Sequence, residues 1–191
     1  MRLNLGCGNK KMPGWRNVDK VPECNPDEVV DLESLPWPWP ENSVDEVLLA
    51  HVLEHLGQTP KVYLGIIKEL YRVCRDGARI TIVVPHPRHD FFLNDPTHVR
   101  AVTEQGLNMF SQASNRRLVA RGGSNTPLGV YLGVDLEVQA VEYDLDDLWL
   151  GRVQRGEVTE AELEYAKASY ANVVTQTTIV MQAIKPAGRL A

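Results

Sequence analysis

The segment from Ser43 to Pro85 constrains the fold more than any other part of the chain. "VDEVLLA" is an apolar run of the length of a buried strand, and "ARITIVVP" is a second, rich in β-branched residues and stopped by Pro85. Between them Tyr63, Ile66, Ile67, Leu70, Val73 and Cys74 recur at helical spacing, one stripe facing a core. Thr59 can cap this helix, and Pro60 fits its first turn, where a missing N–H costs nothing. Gly77 is expected as its left-handed C-terminal cap. Strand, helix and strand in that order imply a parallel pair with a crossover, hence an α/β sheet covered on both faces.

The flanks extend this frame. "RLNLG", "WRNVDK" and "DEVVDLE" read as three short strands ending near Gly6, Asp19 and Asp31. Beyond Pro85 a helix is expected from Thr103 to about Leu118, then a flexible loop, "RGGSNTPLG". "VDLEVQAVEYDL" and "QTTIVMQAI" read as two further strands, and between them Thr159 and Glu162 form a capping box for a helix through Tyr170. The stretch from Pro85 to Gly133 is the expected place for substrate-specific structure, since long irregular connections on a rigid sheet commonly carry binding groups.

Composition narrows the class of partner. The 191 residues suit one domain, and 43% hydrophobic with 24% charged residues suits a soluble globular protein. A net charge of −5 without any Lys/Arg run argues against bulk nucleic acid. Cys7, Cys24 and Cys74 are widely spaced with no CxxC pair, which points to a reducing compartment. The chain enters a strand at once, with no signal peptide, and no apolar run approaches the roughly 20 residues that span a bilayer. A cytoplasmic protein with no membrane partner is expected; nothing in the sequence speaks to its oligomeric state.

The chemistry starts at "GCG", directly after the first strand. Gly6 and Gly8 let the backbone turn sharply and let a ligand approach the main chain at Cys7. Asp19, at the end of the next strand and followed by Lys20, can accept hydrogen bonds from both hydroxyls of a ribose. Asp31 can meet the exocyclic amine of an adenine while Leu32 covers its ring. All lie at the carboxyl ends of adjacent strands, where open α/β sheets bind ligands. A third glycine is missing, since Asn9 and Lys10 stand where GxGxxG would continue, and this argues against a pyrophosphate. A cofactor with ribose and adenine but no phosphate fits: S-adenosylmethionine.

"LNLGCGNKKMPGWRNVD", "DLESLPWPWPENSVDEVLLAHVLEHL" and "ELYRVCRDGARITIVVP" together resemble the successive motifs of class I S-adenosylmethionine-dependent methyltransferases, closest to small type 11 proteins with a shortened first βα unit. The resemblance covers roughly residues 1–86. It implies a doubly wound, seven-stranded, mostly parallel sheet of order 3-2-1-4-5-7-6 with the last strand antiparallel. It implies one methyltransferase domain over 1–191, with a cofactor half (1–86) and a substrate-side half with the closing hairpin (87–191). It also implies that Gly6, Cys7 and Gly8 pass beneath the methionine and ribose. Asp19 and Lys20 would lie at the ribose, Asp31 and Leu32 at the adenine, and His51 at the methionine end. Where the family commonly has Pro-Gly-Gly after the long helix, this chain has Arg75-Asp76-Gly77. Trp37 and Trp39 are expected to staple a turn to the sheet, and Glu54 and His55 to be structural.

"PHPRHDFFLNDPTHVR" collects His86, His89, Asp90, Asp95 and His98 past the strand beside the presumed methyl donor. As a substrate site, His86, His89, Asp95 and His98 are candidate catalytic groups, an imidazole or carboxylate serving as general base. The segment follows no recognised ligand pattern, so no metal is assigned, although His and Asp are suitable ligands. It also reads as an ordinary solvated loop with Asp95 capping a turn. The expected activity is methyl transfer to a small-molecule or glycan-related acceptor. Two rivals stand beside it: a non-catalytic S-adenosylmethionine-binding module, and a metal-dependent hydrolase using the His86–His98 segment.

Overall fold

A computed structural model describes residues 1–188. Seven strands form a single sheet: β1 (Arg2–Leu5), β2 (Arg16–Asp19), β3 (Glu28–Val29), β4 (Val44–Ala50), β5 (Cys74–Pro85), β6 (Leu136–Leu145) and β7 (Val174–Ala183). Their order is β3-β2-β1-β4-β5-β7-β6. The first five pair in parallel, and β7 runs antiparallel to both of its neighbours. This is the expected doubly wound architecture, down to the reversed last strand.

Helix α1 (Pro60–Val73) starts as its sequence dictates, with the Thr59 side chain accepting from the amide of Val62. Tyr63, Ile66, Ile67, Leu70 and Val73 are its buried face, and they join Leu3, Leu5, Val47, Leu49, Ile80 and Ile82 in one continuous core. Gly77 does not cap this helix. The helix ends at Val73 and β5 begins at the next residue. Gly77 does take the left-handed conformation (φ +74°), but inside a bulge where pairing with β4 jumps from Val44–Cys74 to Glu46–Arg79.

The third strand is shorter than expected, so Asp31 lies two residues past Val29 rather than in the strand. The single helix expected over 103–118 is two, α3 (Glu104–Asn108) and α4 (Gln112–Ala120), joined after α2 (Asp90–Leu93). Phe110 and Ser111 interrupt it: both are buried, and the Ser111 hydroxyl accepts from the amide of Ser114 to begin a new helix. The expected loop, Arg121–Gly129, runs into a short helix, α5 (Leu128–Leu132), over its last two residues. Between β6 and β7 lie α6 (Asp147–Gln154), which the sequence reading lacked, and α7 (Glu160–Ser169), with its capping box intact. Among the described residues no helix is long and apolar enough to cross a membrane.

Residues 6–15 cross from β1 to the parallel β2 without a helix. Such crossovers usually need a helix to satisfy their backbone; here buried asparagines do so. Asn4 donates to Lys10 O (3.0 Å) and Asn17 Oδ1 (2.9 Å). That same Asn17 oxygen accepts from the amide of Met12 at 2.8 Å. Asp27 in turn accepts from the Asn17 amide and side chain. Trp37 and Trp39 pack edge to face at 5.6 Å, both buried. Their indoles donate to Leu32 O and Glu28, and their backbone is held by Glu69 and Arg72 of α1.

Candidate active site

The carboxyl ends of β1, β2 and β4 open onto a cavity of about 390 Å³. Gly6, Asp19, Lys20, Asp31, Leu32 and His51 all line it, so six of the expected cofactor residues meet around one space. Val30, Val52, His55, Leu56 and Thr97 complete the wall. Cys7 and Gly8 are not part of the lining. The Cys7 side chain is buried, its backbone amide donating to Val18 O, and burial raises its thiol pKa, with the Asp19 carboxylate adding to the effect. Sequence reasoning missed Thr97 because it comes from a segment 78 positions beyond Asp19 (97 − 19 = 78), carried to the pocket only by the fold.

The glycine turn has no alternative composition. Gly6 has φ +66°, and a Cβ there would lie 2.4 Å from Val52 Cγ2. Gly8 has φ +47° with open space around it. Its amide donates to Asp19 Oδ2 at 2.8 Å, while Val21 N donates to Oδ1 at 2.9 Å. Asp31 accepts from Glu33 N and the Ser34 hydroxyl, fixing the carboxylate at the rim. Each carboxylate is thus aimed by backbone or hydroxyl donors that leave lone pairs over for a ligand.

His51, the residue directly after β4, has a conformation that non-glycine residues seldom adopt, φ +56°. Gln176 turns its amide nitrogen to Asp144, so its oxygen faces His51 Nε2 at 3.1 Å and accepts that proton. Nδ1 then faces Glu54 Oε1 at 3.5 Å, an ion-pair contact without hydrogen-bond geometry. The Glu54 carboxylate raises the His51 pKa by favouring its protonated form, against the opposing effect of burial.

On the other side of His51 and His55 lies an open cleft of about 740 Å³. Asp95 and His98 line it, with Glu54, Phe91, Asp146 and Gln176. His86 and His89 do not. His86 lines a smaller cleft with Arg88, Glu104 and Tyr143, its pKa lowered by burial and by the nearby Arg88 charge. His89 is buried, its Nε2 3.4 Å from Asp146 and its Nδ1 accepting from Phe91 N as the cap of α2. The four candidate catalytic groups therefore divide among three surroundings. A further cleft of about 820 Å³ lies at the amino edge of the sheet, around Met1, Arg2, Arg16, Asp45 and Arg75. Arg2, Arg16 and Arg75 there are engaged by Glu46, Glu28 and Asp45, and ligands of open α/β sheets bind at the opposite edge.

Residues 15–82 match the family model described as "Methyltransferase domain", a span that starts just after the glycine turn. No curated protein matches the sequence. Among solved structures, a SAM-dependent methyltransferase from Archaeoglobus fulgidus is 19% identical with a TM-score of 0.61, the match covering 95% of this chain and 85% of that one. A SAM-dependent methyltransferase from Methanosarcina mazei is 15% identical with a TM-score of 0.55, covering 96% and 92%. The YcgJ protein from Bacillus subtilis is 17% identical with a TM-score of 0.52, covering 98% and 92%. At such identities the likeness to solved structures is one of fold. The chain thus carries a segment similar to a methyltransferase domain, within a fold shared with S-adenosylmethionine-dependent methyltransferases.

Proposed function

We propose that this protein transfers the methyl group of S-adenosylmethionine to a small-molecule or glycan-related acceptor and releases S-adenosylhomocysteine. The observation that carries the reading is the meeting of Gly6, Asp19, Asp31, Leu32 and His51 around one cavity at the carboxyl edge of the sheet. Asp19 takes the ribose hydroxyls beside Lys20, Asp31 the adenine amine, and Leu32 the ring face. The Gly6-Cys7-Gly8 backbone runs beneath the methionine, and His51 holds its far end. The acceptor enters by the neighbouring cleft, whose wall His51 and His55 share with the cofactor cavity.

Transfer is an in-line displacement: the bond from acceptor oxygen or nitrogen to methyl carbon forms as the carbon–sulfur bond breaks, and the electron pair stays on sulfur. The acceptor proton passes to a basic group of the cleft wall, which carries Asp95, Asp146 and Asp147. A single domain with its acceptor side in residues 87–191 suits this division of labour. The three free cysteines agree with a reducing, cytoplasmic setting.

Titration calorimetry with S-adenosylhomocysteine tests the reading. One equivalent is expected to bind, and Asp31→Ala to weaken it by about tenfold, the value of a lost charge-assisted hydrogen bond. Absence of binding overturns the proposal. Binding with no transfer of labelled methyl to any of a broad hydroxyl and amine panel favours the non-catalytic binding module.

A further inference from the structure

Glu54 is the least ordinary side chain in the molecule. Its carboxylate is wholly buried, and neither oxygen has a hydrogen-bond partner among the described residues. Among the described residues no lysine or arginine pairs with it; His51 Nδ1 stands 3.5 Å from its Oε1. An uncompensated buried carboxylate is costly, so such a group is kept where something else neutralises it.

Two histidines stand in position to share that role. Ligand atoms of Glu54, His55 and His98 all lie within 4.8 Å of one another. His98 Nδ1 is 2.7 Å from Phe92 O, and since a carbonyl only accepts, Nδ1 carries the proton and Nε2 keeps its lone pair. The Thr97 hydroxyl donates to Asp95 Oδ1 at 2.6 Å, so at its 2.9 Å contact with His55 Nδ1 it accepts. That leaves His55 Nε2 free as well. Both imidazoles are thus set in the same tautomer by an oxygen on Nδ1, the outer-shell arrangement that orients histidine ligands.

The backbone holds the group together. Val99 N and Arg100 N both donate to Glu54 O, docking the "DPTHVR" segment on the "LEHL" turn. The His55 and His98 rings lie 4.6 Å apart, and Phe92 stacks on His98 at 5.2 Å. His98 is nearly buried while His55 is half-buried.

We infer that Glu54, His55 and His98 form a binding site for a divalent transition-metal ion on the wall of the acceptor cleft. One carboxylate and two neutral imidazoles suit zinc, iron(II) or manganese, with positions left for water or an acceptor oxygen. With the ion in place, His98 is a ligand rather than a proton acceptor. The sequence hides the site because His98 is 43 positions from His55 (98 − 55 = 43), and because the buried state of Glu54 depends on tertiary packing.

Chelator-treated, tag-free full-length protein is titrated with cobalt(II) and, in the presence of a competing chelator, with zinc. One equivalent is expected, cobalt giving the visible absorption of a low-coordinate histidine site. Glu54→Gln and His98→Gln should each weaken zinc binding by at least about a hundredfold, and Thr97→Val, which frees the His55 ring, by about tenfold. Circular dichroism and thermal melts report whether each variant is folded. If Glu54→Gln fails to fold, His98→Gln and Thr97→Val carry the test. Absence of stoichiometric binding, binding unchanged in the folded variants, or loss only in His86→Gln/His89→Gln overturns the site. Because cofactor affinity is read separately, failure here leaves the methyltransferase reading standing, and the reverse.

Discussion

The backbone amide of Gly8 donates to Asp19 Oδ2 across 2.8 Å, tying the glycine turn of one strand to the terminal carboxylate of the next. Asp19 is therefore a strut, and under the proposed function a ligand-binding group as well. Asp19→Asn sets an amide NH2 against either Gly8 N–H or Val21 N–H. It should lower stability by about 1–2 kcal/mol, as a broken hydrogen bond does, and weaken S-adenosylhomocysteine by about tenfold or more. Urea denaturation and calorimetry separate the two effects; lost stability with unchanged affinity would leave Asp19 a strut alone.

The two glycines of the turn should differ in kind. At Gly6 an added Cβ meets Val52 at 2.4 Å in a left-handed backbone, so Gly6→Ala combines about 1–3 kcal/mol of overpacking with left-handed strain. Gly8→Ala meets no atom within 4 Å and should cost only the strain, about 1–2 kcal/mol. Denaturation midpoints should rank Gly6→Ala below Gly8→Ala. Adding Val52→Ala to Gly6→Ala should cost less than the sum of the two single changes, the signature of a relieved contact.

These residues show what the sequence made legible and why. Features fixed by local chemistry were readable: the Thr59 and Thr159 caps, the stripe on α1, the strand ends that carry Asp19 and His51. Gly77 shows the limit, since a left-handed glycine after a helix reads as a cap when the bulge it serves depends on pairing with Val44 and Glu46. The interrupted helix at Phe110 was hidden for the same reason: the core demanded a buried aromatic there. The spatial partners of the histidine-rich segment were the least legible. Its residues are neighbours in sequence, yet His89 turns to Asp146, 57 positions away (146 − 89 = 57), and His98 to Glu54 and His55, 44 and 43 positions away (98 − 54 = 44; 98 − 55 = 43).

Glu69 should give stability a dependence on pH. It is bonded by both Arg72 nitrogens and by the amide of Trp37, and the Arg72 contact holds its pKa below the ordinary carboxylate value. A depressed folded-state pKa contributes stability that is present above the unfolded pKa, near 4.5, and is lost as pH falls through the folded one. Glu69→Gln should therefore destabilise by about 1 kcal/mol at pH 7. The difference from the native chain should shrink steadily as pH falls below 4.5, which thermal melts across pH would follow.

Asn17 replaces the helix that is missing between β1 and β2. Asn17→Ala removes the acceptor for Met12 N and Asn4, and leaves Asp27 with only the backbone amide. With buried polar groups orphaned at about 1–3 kcal/mol each, it should destabilise more than Asp19→Asn. Hydrogen exchange should quicken first in residues 7–15.

His51 and His55 belong to two cavities at once. Under the proposed function this partition has one face toward the donor and one toward the acceptor, and it cannot move for one ligand without moving for the other. Any free energy that cofactor binding spends in settling these rings would then be free energy the acceptor no longer has to spend, and reciprocity would require the acceptor to tighten the cofactor by the same factor. The shared wall would make one coupling factor readable from either side.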